Sequence, residues 1–396
     1  RQRHFGPPEY ASATAKDIHS GEHAIRRWRR VARMFGVSRD EVFGGQGTGE
    51  AESSTRRPAP GELRTAPFPQ EVDWFPVLKC SLDCAHCWSM GTVFDPSITR
   101  SLSARQITRM VDIMCERGVR AVTITGGEPT LWPDLEHTLR YLHDRGMLVR
   151  LYTHGLHCVD PRTGAIVGPA ARRLDTVTSY TDTLSLSVDP YHDCSFNARF
   201  RALGSVTSYR AVVAEVLEHV ARRRPDVDLQ VISVVGRVPG ADGVWWSEQA
   251  IADYYVSLGR ELGGLAARLP RLRWKLNMYR YNASMRTHQA ELRIDAAAFE
   301  RLLQTIRHRC QPSFPVEMEI VRSQRMDYGY LFVRSDGTIL SMKADGEHEQ
   351  YIELGSFLTG SFREPEAWDL LRVRVAEQAA AVRGTGNAQG LRTRLT

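Results

Sequence analysis

The chain has 396 residues, 42% hydrophobic and 25% charged, with a net charge of +6 and seven cysteines. This composition excludes a disordered chain, a collagen-like repeat and a small disulfide scaffold. No apolar run reaches the roughly 18 residues that a membrane span needs, so no membrane partner is expected. In chain order, residues 1–72 read as an N-terminal extension. Within 17–35, Ile25, Trp28, Val31 and Met34 fall at helical spacing with arginines between them, and Gly36 follows as a stop. The stretch 44–69 is rich in Gly, Ser, Thr and Pro and reads as a linker.

From residue 73, strand and helix alternate. The expected strands are 74–79, 120–125, 148–153, 183–188, 228–235 and 272–279, with helices beginning near Ser103, Pro133, Pro169, Tyr209 and Ser247. Ser103 with Gln106 makes a capping box, and Pro133 suits a first helical turn. Alternation of this kind predicts βαβ units and a parallel sheet. The fold class is therefore α/β, a partial (β/α)6 TIM-type barrel over 73–285. An N-terminal helical extension precedes it, and a C-terminal α/β cap over 286–396 follows. That cap should hold a helix over 293–307 and a hairpin of strands 328–334 and 338–342 around Asp336-Gly337. A last helix is expected over 364–382, and the final dozen residues read as disordered.

Chemistry concentrates at the ends of these strands. Cys80, Cys84 and Cys87 form a C-x3-C-x2-C set directly after the first strand. Three thiolates can hold three irons of a [4Fe–4S] cluster and leave the fourth iron open to a ligand. Zinc sites favour a second cysteine pair downstream, and Cys115, Cys158, Cys194 and Cys310 offer none. About 40 residues later, an apolar run ends in Gly126-Gly127-Glu128-Pro129. Glycines at a strand's carboxyl end let the backbone approach a ligand closely.

The two motifs at this spacing resemble the radical S-adenosylmethionine (radical SAM) superfamily. The resemblance implies that Cys80, Cys84 and Cys87 hold the cluster and that Gly126, Gly127 and Glu128, in the motif closed by Pro129, contact the methionyl amine of SAM. His86 occupies the position where members carry an aromatic or histidine. Thr153 ends a strand where many members read Thr-Asn-Gly, with His154 here in place of the Asn. Ser187 and Asp189 resemble a polar pair that reaches the SAM carboxylate or ribose. Both also have structural readings, as a strand-end cap and a turn residue before Pro190.

The implied cofactors are one [4Fe–4S] cluster and SAM, since the C-terminal region lacks the cysteines for more. A flavodoxin- or ferredoxin-like donor would reduce the cluster. SAM would then yield methionine and a 5′-deoxyadenosyl radical, which takes a hydrogen from the substrate. The expected substrate is a small molecule (a sugar, nucleoside or nucleotide) in natural-product biosynthesis. The alternative is a peptide-modifying maturase, an epimerase among the options, that holds a leader with its basic N-terminal helix. A short stretch, Arg273-Trp274-Lys275, resembles the viperin-like nucleotide-modifying branch, and Lys275 suits a phosphate or carboxylate.

Four candidate catalytic residues follow. Cys194 could return a hydrogen atom, Tyr191 could quench a radical, His192 could move a proton, and Lys275 could hold an anion. Each has a plain packing reading: Cys194 as a small buried residue, Tyr191 and His192 as loop filling. The arginine-rich charge fits coding bias, and no nucleic-acid partner is expected. Thiolate ligation and unpaired cysteines predict the cytoplasm.

Overall fold

A computed structural model describes residues 71–87, 102–160, 162–200, 208–240, 243–281, 290–310, 315–322, 331–345 and 348–362. The expected helices over 17–35 and 364–382 and the linker over 44–69 lie outside these residues. The described chain falls almost wholly in one compact unit, Val72–Phe362.

Strand and helix alternate as their patterns require. β1 (Glu71–Val77) leads to α1 (Ala104–Glu116), then β2 (Ala121–Gly126), α2 (Leu135–Asp144), β3 (Leu148–Thr153) and α3 (Gly168–Tyr180). β4 (Thr183–Ser187) is followed by two helices, α4 (Pro190–Phe200) and α5 (Tyr209–Arg223). Next come β5 (Asp228–Val235), α6 (Glu248–Leu265), β6 (Arg273–Met278), α7 (Ala296–Cys310) and β7 (Glu317–Val321). The chain ends its described part in β8 (Leu331–Val333), β9 (Thr338–Asp345), β10 (His348–Ser356) and β11 (Ser361–Phe362).

Local signals place several boundaries. Ser103 caps α1 and closes the expected capping box with Gln106, while Ser208 and Ser247 accept backbone N–H groups at the starts of α5 and α6. Pro133 instead lies ahead of α2, whose N-cap is Asp134. Apart from α4, the described helices turn an apolar stripe inward; on α1 it is Ile107, Met110, Val111 and Met114. Burying one such side chain is worth about 1.5–3 kcal/mol.

All the described strands join one open sheet in the order β11-β10-β9-β8-β1-β2-β3-β4-β5-β6-β7. Pairings from β2 through β7 are parallel. The α/β core is therefore the expected partial barrel, open rather than closed, with β7 as a seventh strand. β8 runs parallel to β1, in register Asp73 with Phe332, and pairs antiparallel with β9 across the Asp336-Gly337 turn. The expected hairpin is thus present, and it also completes the far side of β1. Trp74, Phe75, Trp274 and Phe332 are fully buried around this sheet.

Two elements escape the periodicity. α4 follows β4 at once, and its buried face mixes Tyr191, His192, Ser195 and Phe196, so no apolar stripe announces it. In β7 two glutamates interrupt the apolar run; Glu319 is spent on Lys275, opposite it on β6.

Candidate functional site: the cysteine loop and the carboxyl ends of β2 to β5

The cysteine loop leaves the end of β1 and lies against the end of β2. Gly127 N–H donates to the Val77 carbonyl at 2.8 Å, and Glu128 N–H to the Lys79 carbonyl at 2.9 Å. A Cβ on Gly126 would stand 2.4 Å from the Val77 oxygen, and one on Gly127 2.4 Å from those of Leu78 and Lys79. Gly126 also has φ +127°. Only glycine allows this approach. The two sequence motifs, 40 residues apart, are therefore one backbone unit.

Within the loop, Cys87 N–H bonds the Cys84 carbonyl at 3.0 Å, and Leu82 N–H points to Cys80 Sγ at 3.4 Å. Ser195 of α4 accepts from Asp83 N–H at 2.7 Å and also bonds the Cys84 thiol. None of the three cysteines is in a disulfide. Burial pushes Cys80 up to about 12 and Cys84 well above the ordinary thiol range, and nearby carboxylates and thiols add to both shifts. Cys80 and Cys84 thus resist ionisation on their own, and with Cys87 on the same loop they are a donor set for a cation. Bound iron deprotonates a thiol outright, so these residues fit an iron–sulfur cluster.

Glu128 is 1% exposed and turned inward. Its Oε1 accepts from Thr130 N–H at 2.9 Å, Thr130 Oγ1 at 2.5 Å and Thr153 Oγ1 at 2.6 Å; its Oε2 accepts from His154 N–H at 2.9 Å. Burial pushes its carboxyl up, but His154 and these donors together hold it below the usual range. His154 Nε2 lies 3.3 Å from Glu128 Oε2 and 3.2 Å from Ser81 Oγ. Its Nδ1 accepts from Leu156 N–H at 3.2 Å, which leaves the proton on Nε2. Burial lowers this imidazole to about 4. His157 Nε2 meets the same Ser81 Oγ at 3.0 Å. Ser81, beside Cys80, is thus held by two histidines from the end of β3.

A second cluster forms where β4 ends. Asp189, 1% exposed, receives His192 Nδ1 at 2.7 Å on Oδ1 and Val234 N–H at 3.2 Å on Oδ2. His86 Nε2 stands 3.4 Å from Oδ2. Burial opposes the charge, but His192 and His86 hold this carboxyl down at about 2. His86 stacks on Tyr191, with ring centroids 4.5 Å apart. The Tyr191 hydroxyl donates to the Arg237 carbonyl at 3.0 Å. Tyr209 lies behind: its hydroxyl donates to the His154 carbonyl at 2.8 Å and is shared with the Ser187 carbonyl.

The structure brings most of the residues singled out in the sequence to one end of the sheet. The cysteines, His86, Gly126–Pro129, Thr153, Ser187, Asp189, Tyr191 and His192 share the carboxyl ends of β1 to β4. Tyr191 and His192 are the first turn of α4, not loop residues. Cys194 turns to the Pro239 carbonyl at 3.5 Å, and burial pushes its thiol up to about 11. Lys275 lies lower, on the face of β6 opposite Trp274, 3.6 Å from Glu319. Ser81, His157, Ser195 and Tyr209 carry much of the network and have no motif of their own, although Ser81 adjoins Cys80; His154, noted in the sequence only as standing where many members read Asn, joins them.

With this geometry in place, the comparisons are specific. The radical SAM superfamily description matches residues 74–223. This chain carries a radical SAM domain. The family works with a [4Fe–4S] cluster and SAM, and those are the cofactors of the domain. Among curated proteins, a GTP 3′,8-cyclase of Synechococcus elongatus is 26% identical over 155 residues, 39% of this chain and 43% of that protein. A mycofactocin maturase MftC of Mycobacterium tuberculosis is 32% identical over 118 residues, 30% of this chain and 27% of the relative. An Fe-coproporphyrin III synthase of Methanosarcina barkeri is 29% identical over 84 residues, 21% of each chain. The match spans less than half the length of each of these relatives. Among solved structures, Streptococcus suis SuiB bound to S-adenosylmethionine is 14% identical, with a TM-score of 0.49 over 70% of this chain and 61% of that one. No described helix is long and apolar enough to cross a membrane.

Proposed function

We propose that this chain is a radical SAM enzyme that holds its cluster through Cys80, Cys84 and Cys87. One observation carries the reading: the cysteine loop is hydrogen-bonded to Gly127 and Glu128, so cluster ligands and amine-binding backbone share one rigid unit. When bound, the cluster and SAM supply a 5′-deoxyadenosyl radical that removes a hydrogen atom from an unactivated carbon.

The chain's own residues position these groups. The Gly126-Gly127 backbone would receive the methionyl amine, with the Glu128 charge fixed behind it. His86, held by Asp189 and stacked on Tyr191, would form the wall for the adenosyl group. Ser187 and Asp189 remain candidates for the SAM carboxylate or ribose. Asp189 holds His192 Nδ1–H, so the other ring nitrogen can accept a proton from substrate. Cys194 remains a candidate hydrogen donor.

For substrate class we favour a nucleotide or related small molecule. The 155-residue likeness to a GTP 3′,8-cyclase supports it, as does the polar inward face of β5 to β7, where Lys275, Gln230 and Glu319 meet. The likeness to a mycofactocin maturase and the basic segment 17–35 support a peptide-modifying reading instead. The segment 73–285 would carry the chemistry, while 286–396 adds β7 to β11 to the same sheet, and the cytoplasm would supply the reductant. Anaerobically reconstituted and reduced protein should convert SAM to 5′-deoxyadenosine; a loaded, reduced chain that leaves SAM intact would sink the reading. Deleting residues 1–60 separates the substrates: unchanged turnover of a small molecule favours the first, and lost peptide binding the second.

A further inference from the structure

α4 meets the cysteine loop through a buried hydroxyl. Ser195 Oγ accepts from Asp83 N–H at 2.7 Å and bonds the Cys84 sulfur. Ser195 is 6% exposed and Cys84 7%, so little water can compete for either partner. The helix is fixed along the same stretch. His192 holds Asp189 at 2.7 Å, the Tyr191 hydroxyl donates to the Arg237 carbonyl at 3.0 Å, and Asp193 accepts from the Tyr254 hydroxyl. The donor on Cys84 is therefore held in place before any cluster arrives.

Donor counting fixes the direction of this bond. A serine hydroxyl has one hydrogen and two lone pairs. Its oxygen already accepts from Asp83 N–H, and a cysteine that ligates iron has no hydrogen to give. The Ser195 hydrogen thus points at Cys84 Sγ whenever that sulfur is a ligand. A donor there stabilises negative charge on the sulfur, and hydrogen bonds to sulfur help to set a cluster's reduction potential. Leu82 N–H, 3.4 Å from Cys80 Sγ, is a second such donor, but it belongs to the backbone. We propose that Ser195, acting through Cys84, raises the reduction potential of the cluster and so eases electron entry. The proposal rests on the cluster assignment in the radical SAM reading above. On reduction the cluster gains one electron from an external reductant such as dithionite and passes from its 2+ to its 1+ state. The Ser195 proton stays on its oxygen, and no covalent bond forms or breaks.

The test uses the full-length, cluster-loaded chain without oxygen and without SAM. Parent, Ser195→Ala and Ser195→Thr are poised with redox mediators at the parent's midpoint, and the reduced cluster is counted by electron paramagnetic resonance. Ser195→Ala should lower the reduced-to-oxidised ratio about tenfold, or ~59 mV for one electron, at equal iron content. Ser195→Thr keeps the hydroxyl and should restore the ratio. Electron–nuclear double resonance of the parent should also show an exchangeable proton coupling that Ser195→Ala lacks. A parent-like ratio in Ser195→Ala overturns the proposal. So does a drop that Ser195→Thr shares, which would make Ser195 a packing residue for the loop. If Ser195→Ala retains no iron, the ratio is read in Ser195→Cys, whose thiol is a weaker donor, and an unchanged ratio there overturns the proposal equally. A parent chain that takes up no four-iron cluster sinks the radical SAM reading and the proposal together. A parent that loads the cluster but leaves SAM intact under dithionite sinks the reading alone.

Discussion

His154 shows what a single side chain contributes here. It stands where many radical SAM proteins carry Asn, and it ties Glu128 to Ser81 from a fully buried position. Because burial holds it neutral down to about pH 4, the unfolded chain takes up its proton first, near pH 6.5. Stability should therefore fall as pH drops from about 6.5 to 4, by up to about 3 kcal/mol from this residue. Glu128, held below its ordinary value, contributes stability that is lost only as pH falls through that lowered value. Urea midpoints of the cluster-free protein across this range should show the slope, and His154→Gln should flatten it. Glu128→Gln should cost about 2–4 kcal/mol, because an amide nitrogen would face donors where an oxygen now accepts. Neither role was legible beforehand: a histidine's partners depend on which strand ends lie beside it, and spacing along the chain does not carry that.

At the scale of elements, what was legible is what depends on periodicity and punctuation. β3 and β5 fall on their expected bounds because apolar runs end sharply at turn residues. α4 was not legible because its inward face serves the site, through Ser195 on the cysteine loop and His192 on Asp189. The Gly126-Gly127 unit was legible as a motif, but its contact with residues 77–79 was not. Gly127→Ala should push the cysteine loop away, lower iron retained after reconstitution, and destabilise the fold by more than about 2 kcal/mol. Iron content and a thermal melt would check both. Tyr209 joins α5 to the ends of β3 and β4 through one hydroxyl. Tyr209→Phe should cost about 1–3 kcal/mol by leaving buried carbonyls without their donor, while Tyr209→Leu should cost more through the lost ring contact with His192.

Across the whole molecule, the sheet is assembled out of order: β1, first of the described strands, has β2 on one side and β8 on the other. Phe75 and Phe332 seal that junction, their centroids 5.6 Å apart. Ending the chain after residue 325 should therefore bare the β1 edge and yield aggregated protein, although every cysteine-loop residue is present; solubility and light scattering would show it. The same junction puts a clock on synthesis. Asp73 and its partner Phe332 lie about 260 residues apart, so at roughly 5–20 residues per second the ribosome needs about 13–50 seconds to supply the missing neighbour. Throughout that interval the cysteines lie beside an unfinished strand edge. Iron delivery and chaperone cover thus fall in the same window, and a cell that makes this chain quickly without either would accumulate it unloaded and aggregated.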